Sequence, residues 1–123
     1  MKTIRSAMIP VAVLWEYREF KRDEVSAPNV PYFQSYTIDE VTDHVGLHGM
    51  EPVELSIIKD KAMLTDGNHR IVAARRLGFS HIPVLVTVYF GTGHEVFYNH
   101  TLERFKLITK ELELELKKLF LGE

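Results

Sequence analysis

The chain has 123 residues, 46% of them hydrophobic and 26% charged, which is the composition of one ordinary globular domain. Its formal charge of −2 and pI near 6.3 argue against general binding of DNA or RNA, which requires a strongly basic surface. The absence of cysteine excludes disulfides, thiolate catalysis and cysteine-ligated metals. No apolar run approaches the length of a membrane span, and Pro10 interrupts a weakly signal-like start, so we expect a cytoplasmic protein.

The first part of the chain predicts a strand and a capped helix. The apolar run Ile9–Leu14 is typical of an opening strand. Residues Thr37–Glu40 have the spacing of a capping box, which predicts a helix over Ile38–His48, with Gly46 and Gly49 as two possible ends before Pro52. The apolar face of this helix contains Ile38, Val41 and Val45.

The middle of the chain predicts a hairpin, a helix and a further strand. Apolar and polar residues alternate from Val53 to Ile57, and the chain returns over Ala62–Thr65 after a turn at Lys59-Asp60-Lys61. A helix then follows over Asn68–Leu77, closed by Gly78, and Ile82–Phe90 is strongly β-forming.

The last part of the chain predicts a short strand over Glu95–Tyr98 and then one long helix from Thr101 to Leu119. We expect residues 1–100 to form one domain, and residues 101–123 to form a helix that packs on it or contacts a partner or a second copy. A second apolar row on this helix contains Leu107, Leu114 and Leu121. The fold class is α+β, a small mixed sheet with packed helices and a long C-terminal helix.

The most informative segment is the turn Asp66-Gly67-Asn68-His69-Arg70 between a strand and a helix. A helix start presents unpaired backbone N–H groups and the positive end of the dipole, both of which favour anions. Gly67 allows an anion to approach the backbone, and the Arg70 guanidinium fits phosphate oxygens. We therefore predict a phosphate site here. The alternative is a plain turn in which Asp66 caps the helix and Arg70 pairs with a surface carboxylate.

Two residues of this turn are candidates for catalysis. Asp66 either caps the helix or helps to hold Mg²⁺ on phosphates. His69 either bonds a phosphate or acts as an acid or base near neutral pH, and the alternative is a histidine that fixes the turn by bonding a carbonyl. Whether a metal is bound, and by which residues, stays open at this point.

For several other residues we favour a structural interpretation over a functional one. His44 and His48 are interpreted as a solvated helix end rather than metal ligands. Arg75 and Arg76 are interpreted as exposed helix residues. The aromatic and basic residues of the early charged segment could stack bases, but a half-buried edge is the preferred interpretation; they are Trp15, Tyr17, Phe20, Arg18, Lys21 and Arg22. Glu16 and Glu19 could supply a base on the substrate side.

A set of short motifs, taken in order, resembles the ParB/sulfiredoxin superfamily. They are Ile9–Leu14, Gly49-Met50-Glu51-Pro52-Val53, Leu64–Arg70, Ala73-Ala74, Leu77-Gly78 and Ile82-Pro83-Val84. The resemblance implies that Gly67, His69 and Arg70 grip phosphate, with Arg70 as the direct ligand. It also implies that Gly49 and Pro52 shape the pocket for base and ribose, and Asp66 matches an Asp of the free serine kinases in this superfamily. The implied ligand is a nucleotide, ATP, ADP or CTP, with Mg²⁺, in a site of Gly49, Pro52, Gly67, Asn68, His69 and Arg70.

The departures from the family pattern narrow the expected activity. Sulfiredoxins carry their nucleophilic Cys, and ParB proteins a catalytic Glu, where this chain has Asn68. The second phosphate motif and the helix-turn-helix domain of ParB have no counterpart in this sequence. The departures predict that sulfiredoxin activity is absent. The resemblance implies a nucleotide-binding protein whose most natural chemistry is phosphoryl transfer or nucleotide hydrolysis, and turnover stays open because Asn68 replaces the Cys or Glu. The alternatives are a non-enzymatic regulatory or interaction protein of phage or mobile-element type and, third, a ParB-like nuclease or DNA-partition role.

Overall fold

The computed structural model describes residues 2–19 and 37–122. Within these ranges the chain forms five strands and five α-helices, together with a 3-10 turn over Trp15–Tyr17. The elements are β1 (Lys2–Pro10), α1 (Val11–Leu14), α2 (Ile38–His48), β2 (Val53–Ile58), β3 (Lys61–Asp66), α3 (Asn68–Arg76), β4 (His81–Tyr89), α4 (Asn99–Leu102), β5 (Lys106–Leu107) and α5 (Lys110–Leu121). None of the helices in the described ranges combines the length and the apolar character needed to span a bilayer.

The five strands form one mixed sheet in the order β1-β4-β2-β3-β5. Strands β2 and β4 pair in parallel, whereas the β1–β4, β2–β3 and β3–β5 pairs are antiparallel. The hairpin β2–β3 shifts register between Glu54 and Leu55. Helix α3 connects β3 to β4 and so lies at the crossover between the two parallel strands.

The opening strand lies earlier than the sequence predicted. Pro10 ends β1 with φ −59° and ψ 136°, and Val11–Leu14 is helical rather than extended. Pro10 is tolerated at a helix start because the first turn has no intrahelical use for its missing N–H. The amide of Val11 donates to the carbonyl of Ser80 at 2.9 Å, and Val11 and Leu14 are both buried. The prediction of a strand over Ile9–Leu14 is therefore wrong beyond Pro10.

The middle elements confirm the sequence prediction closely. Helix α2 has the predicted bounds, and both hydrogen bonds of its capping box form: Glu40 N–H donates to the Thr37 hydroxyl at 3.1 Å, and Thr37 N–H donates to Glu40 Oε1 at 3.0 Å. The hairpin, α3 and β4 lie within a residue or two of their predicted ranges. Gly78 follows α3 with φ 81°, and its amide donates to Arg75.

The C-terminal region departs most from the prediction. The helix predicted over Thr101–Leu119 is instead a short helix α4, the two-residue strand β5 and the helix α5. Tertiary contacts override the local periodicity: Ile108 N–H donates to the carbonyl of Asp60, and Thr109 N–H donates to the hydroxyl of Tyr17 at 2.8 Å. Thr109 then caps α5 by accepting from Leu112 N–H.

The predicted strand over Glu95–Tyr98 is also wrong, because this segment forms a turn. The amides of Val96 and Phe97 both donate to the carbonyl of Gly93. Gly93 itself is buried, and a Cβ on it would lie 2.5 Å from Cδ1 of Ile58. The close approach to β2 holds the turn against the sheet.

The apolar core lies mainly on one face of the sheet, under helices α1, α2, α3 and α5. Its fully buried members include Ile9, Leu14, Ile38, Leu55, Leu64, Ile71, Ile82 and Leu112. A smaller cluster on the other face consists of Ile58, Met63 and Phe105. Each buried aliphatic side chain of this size contributes about 1.5–3 kcal/mol of burial free energy. The larger cluster therefore contributes most of the burial free energy, and the turn at the start of α3 packs on it.

Candidate functional site

Gly67 forms the corner between β3 and α3. It is the N-cap residue of α3 and adopts the left-handed conformation with φ 97°. A Cβ on Gly67 would lie 2.5 Å from Cγ1 of Val53, which is buried in β2. Glycine is therefore required here for packing of the turn against the sheet. The sequence pattern predicted a different reason, the approach of an anion, but Val53 fills the space that a side chain would take.

Asn68 faces the interior of the protein. Its Oδ1 accepts from the backbone N–H of Glu19 at 2.8 Å, and its Nδ2 donates to the carbonyl of Leu64 at 3.2 Å. The residue is 9% exposed. Asn68 thus ties the segment after the 3-10 turn to the start of α3, and both ends of its amide are satisfied. Asn68 therefore has a connecting role in this chain.

Arg70 is the charged residue that the turn places beside a cleft. Its Nη2 donates to the carbonyl of Pro52 at 3.1 Å and to Oδ2 of Asp66 at 3.2 Å. Its Nε is buried and has no hydrogen-bond partner among the described residues. A desolvated donor without an acceptor is costly, and such groups in native proteins are usually matched by a water, an ion or a ligand. The guanidinium is therefore held in place with hydrogen-bonding capacity unused.

A cleft of about 460 Å³ lies next to Arg70, between helix α2 and the segment that enters β2. Its lining consists of Glu40, Val41, His44, Val45, Gly49, Glu51 and Arg70. Gly49 ends α2 with φ 84° and turns the chain along the rim. The volume falls within the range of about 300–1,000 Å³ that is common for small-molecule sites.

Asp66 does not cap α3, since the N-cap residue is Gly67. Its carboxylate is 64% exposed and forms the ion pair with Arg70, whose side chain is 24% exposed. This is the pairing that the alternative interpretation of the turn predicts, although Arg70 keeps its position on the cleft wall. His69 lies half-buried on the first turn of α3.

Six of the seven predicted site residues separate into two groups, and the seventh, His69, does not line the cleft. Gly49, Pro52, Asp66 and Arg70 come together around the cleft, because Pro52 and Asp66 hold the guanidinium and Gly49 shapes the rim. Gly67 and Asn68 build the corner behind it and contact the protein interior. The structure therefore brings the turn and the Gly49–Pro52 segment to the same place.

Several cleft residues were not predicted as site residues. Val41 and Val45 were assigned to the apolar face of α2, and His44 to a solvated helix end. In the structure His44 and His48 are exposed, with ring centroids 4.8 Å apart, and His44 also lines the cleft. The spacing of Glu40 and His44, four residues apart beside Val41 and Val45, is the signal that could have identified this wall.

The charges on the cleft are mixed rather than positive. Glu40 and Glu51 line it together with Arg70, and Asp66 is paired with Arg70. The backbone N–H of Thr37, and then its hydroxyl, hold the pKa of the Glu40 carboxyl below its ordinary value of 4.5, while burial acts in the opposite direction. The guanidinium of Arg70 therefore shares the cleft wall with two carboxylates, those of Glu40 and Glu51.

The other residues named from the sequence lie away from the cleft. The Trp15 ring contacts two guanidinium groups, with the Arg18 and Arg75 carbons 3.7 Å and 4.2 Å from its centroid. Arg76 pairs with Asp39 at 2.9 Å, and Glu19 pairs with Arg104 at 2.6 Å. Tyr17 is buried and Glu16 exposed, whereas Phe20, Lys21 and Arg22 lie outside the described residues.

Comparison with solved structures identifies the fold. The chain is similar to a Pnob8-like ParB-N domain, with a TM-score of 0.51 and 17% identity over 77% of this chain and 33% of that one. It is also similar to sulfiredoxin from Arabidopsis thaliana, with a TM-score of 0.46 and 18% identity over 79% of this chain and 96% of that one. No family model and no curated protein matches the chain.

The class that these findings define is the ParB/sulfiredoxin-like fold, an α+β domain with a five-stranded mixed sheet and a C-terminal helix. The superfamily resemblance predicted from the motifs is thereby confirmed at the level of the fold. At 17% identity the likeness shows the fold alone, and the chain spans a third of the ParB-N chain that it matches.

Proposed function

We propose that the protein binds a nucleotide in the cleft beside Arg70, with the phosphates at the guanidinium. The observation that carries this proposal is the position of Arg70: its guanidinium is fixed by Pro52 and Asp66, and the residue lines the cleft. Phosphate oxygens are suitable acceptors for a guanidinium, with geometry that allows two parallel hydrogen bonds. The nearby start of α3 adds a favourable dipole.

The rest of the cleft suits the remainder of a nucleotide. Val41 and Val45 supply an apolar wall that a base can contact. Glu40 and Glu51 are acceptors, and the groups of a nucleotide that donate to carboxylates are the ribose hydroxyls and the amino groups of the base. An inorganic phosphate would use only one end of this cleft, whereas a nucleotide has donors for the other end.

Mg²⁺ fits this proposal as a partner of the phosphates. No group of three or more His, Asp or Glu side chains in the described ranges could hold a metal by itself. Mg²⁺ is commonly bound by one or two carboxylates together with substrate phosphates, so a preformed protein cage is not required. Asp66 is the carboxylate next to Arg70, and a cation there would offset its charge.

The chemistry that such a site supports is phosphoryl transfer or nucleotide hydrolysis, in which positioning and charge neutralisation supply most of the catalysis. Asn68 is bonded to Glu19 and Leu64 and takes no direct part in this proposal. Asp66, as the carboxylate nearest the guanidinium, and His69, on the first turn of α3, are the proposed catalytic residues. Gly49, Pro52, Gly67 and Arg70 build the binding site.

Isothermal titration calorimetry tests the binding proposal. We expect one of ATP, ADP, CTP or GTP to bind with Mg²⁺, and Arg70→Ala to weaken binding by about 1.5–3 kcal/mol, the scale of a hydrogen bond to a charged group. Arg75→Ala is the matched control, because it removes a guanidinium from the same helix without touching the cleft. Absence of binding, or equal affinity in the wild type and Arg70→Ala, would end the proposal.

A second candidate function is that of a non-enzymatic interaction protein, of phage or mobile-element type, that uses its C-terminal helix. The supporting observation is that Leu114 and Leu121 on α5 are 58% and 65% exposed. Leu112 of the same helix is fully buried, so truncation would damage the core. The double variant Leu114→Lys, Leu121→Lys should abolish partner binding while leaving nucleotide affinity intact.

The third hypothesis, a nuclease or partition role, predicts a gel shift with DNA at low salt.

A further inference from the structure

Strand β1 forms an open edge of the described sheet. It is nine residues long and pairs with β4 along its whole length, from Lys2 opposite Tyr89 to Pro10 opposite His81, without a bulge. No strand in the described ranges pairs with its other side. About half of the backbone N–H and C=O groups of such an edge point outward, where they can bond another strand.

The edge lacks two of the devices that keep edge strands from pairing, because β1 is neither short nor bulged. Natural proteins shorten such strands, bend them with bulges or place charges and prolines along them. In β1 the proline stands at the last position, and the charges are those of Lys2 and Arg5. The stretch from Ser6 to Ile9 carries no charge and has regular pairing.

Exposed apolar side chains lie on both faces of this edge. Ile4 and Met8 point to the same face, since they are four residues apart in a strand, and they are 48% and 58% exposed. On the opposite face the guanidinium of Arg5 lies 5.7 Å from the ring centroid of Phe120, at the end of α5, and that ring is 36% exposed. The apolar surface therefore borders the open edge on each side.

We propose that β1 pairs with β1 of a second copy of this chain, antiparallel about a twofold axis at Ser6. In this register Ile4 lies opposite Met8 of the second copy, so the large exposed apolar residues of the edge cover each other. Arg5 lies opposite Ala7 and Lys2 opposite Pro10, so no charge faces a like charge. The small side chain of Ser6 lies on the axis, where it meets its own equivalent.

The neighbouring register centred on Arg5 is disfavoured by the same reasoning. It would place two guanidinium groups opposite each other at the axis, and like charges directly opposite are destabilising. The Ser6 register joins two five-stranded sheets into one continuous sheet. It also brings the end of each α5, with Phe120 beside Arg5, close to the dimer axis. The dimer forms independently of nucleotide, since the cleft lies beyond β2.

Single cysteines test the register, because the chain contains none of its own. At the axis the two Ser6 Cα atoms would be about 4.5–5.5 Å apart, within the range of about 4.4–6.8 Å that a disulfide spans. Ser6→Cys should therefore give a disulfide-linked dimer on mild oxidation. Lys2→Cys, at another exposed position of the same strand, is the control: its two copies lie at opposite ends of the paired strands and should not cross-link.

Sedimentation equilibrium tests the interface itself. The wild type should have twice the 14.2 kDa mass of one chain. Met8→Glu should give a monomer, because dimerisation of this variant would bury a carboxylate opposite Ile4 of the second copy. Leu47→Glu is the matched control, since Leu47 is 80% exposed on α2 and lies away from the edge. The proposal is overturned by a monomeric wild type at every concentration, or by a dimer that survives Met8→Glu and leaves Ser6→Cys uncross-linked.

Discussion

Helix α3 has one arginine near its start and two at its end, and their surroundings differ. At the start, Arg70 is 24% exposed in its side chain, donates to Pro52 and Asp66, and keeps a buried Nε without a partner among the described residues. At the end, Arg75 is exposed and lies over the indole of Trp15, and Arg76 pairs with Asp39, whose side chain is 90% exposed. The sequence presents the three as similar cations on one helix.

Position and desolvation therefore distinguish the arginine that we propose binds phosphate from the two surface arginines. Arg75 adjoins a hollow of about 510 Å³, slightly larger than the cleft beside Arg70. Only at the start of α3, however, do a fixed guanidinium, a buried unused donor and a glycine corner meet. The size of a hollow is therefore a weaker indication of a site than the hydrogen bonds around it.

The largest effect expected from a change at either end of α3 is that of Gly67→Ala. It combines a left-handed backbone with overlap against Val53, and should lower the free energy of unfolding by about 3 kcal/mol or more. Gly78→Ala, at the other end, has φ 81° but no atom within 4 Å of its Cβ, and should cost about 1 kcal/mol. Urea denaturation of both variants measures this difference. Equal losses would contradict the packing role of Gly67.

Asn68→Ala should follow, with a loss of about 1–3 kcal/mol, because it leaves the Glu19 N–H and the Leu64 carbonyl without their partner. Arg76→Ala is the control at the other end of the helix. It removes an exposed ion pair and should cost less than about 1 kcal/mol. Hydrogen exchange at the Glu19 amide should also accelerate in Asn68→Ala. An unchanged rate there would show that Asn68 does not hold this segment.

Arg75→Ala should have a smaller effect on stability, of about 0.5–1 kcal/mol, the scale of an exposed cation–π contact. Because the Trp15 indole loses one of its two guanidinium neighbours, its fluorescence should change. Denaturation followed by that fluorescence measures both quantities. Arg70→Ala should leave the native-state emission unchanged, and a similar change in both variants would remove the contrast between the two ends.

The smallest effect on the free energy of unfolding is expected for Glu40→Gln in α2, the helix that faces α3 across the cleft. Since the pKa of Glu40 is lowered by its hydrogen bonds to Thr37, its contribution to stability is present above pH 4.5 and is lost as pH falls through the lowered value. The stability difference between the wild type and Glu40→Gln should therefore shrink with falling pH. Denaturation at several pH values measures it, and a difference that grows towards acid would contradict the capping box.

Local signals predicted the part of the molecule around α2, α3 and the hairpin because their caps and turns are encoded within a few residues. Thr37 and Glu40 fixed the start of α2, and Gly78 the end of α3. The superfamily motifs lie in this same region, so the fold and the neighbourhood of Arg70 followed from the sequence. The side chains on the opposite wall did not, because their position depends on how α2 lies over the cleft.

The regions that escaped prediction depend on contacts between distant residues. Asn68 accepts from Glu19, 49 residues away, and the hydroxyl of Tyr17 bonds Thr109, 92 residues away. No local pattern encodes such pairs. The periodicity of residues 101–119 indicated one helix, but burial of Phe105 and pairing of Lys106–Leu107 with β3 interrupt it. The structure of these segments therefore depends on contacts with residues that are distant in the sequence.

A crystal structure of the chain with Mg²⁺ and the nucleotide that calorimetry selects would show whether Arg70 receives the phosphates. We predict phosphate oxygens within hydrogen-bond distance of the Arg70 guanidinium and the base against Val41 and Val45. A nucleotide found instead in the hollow beside Arg75 would contradict the claim, as would an unchanged Arg70–Asp66 pair beside an empty cleft.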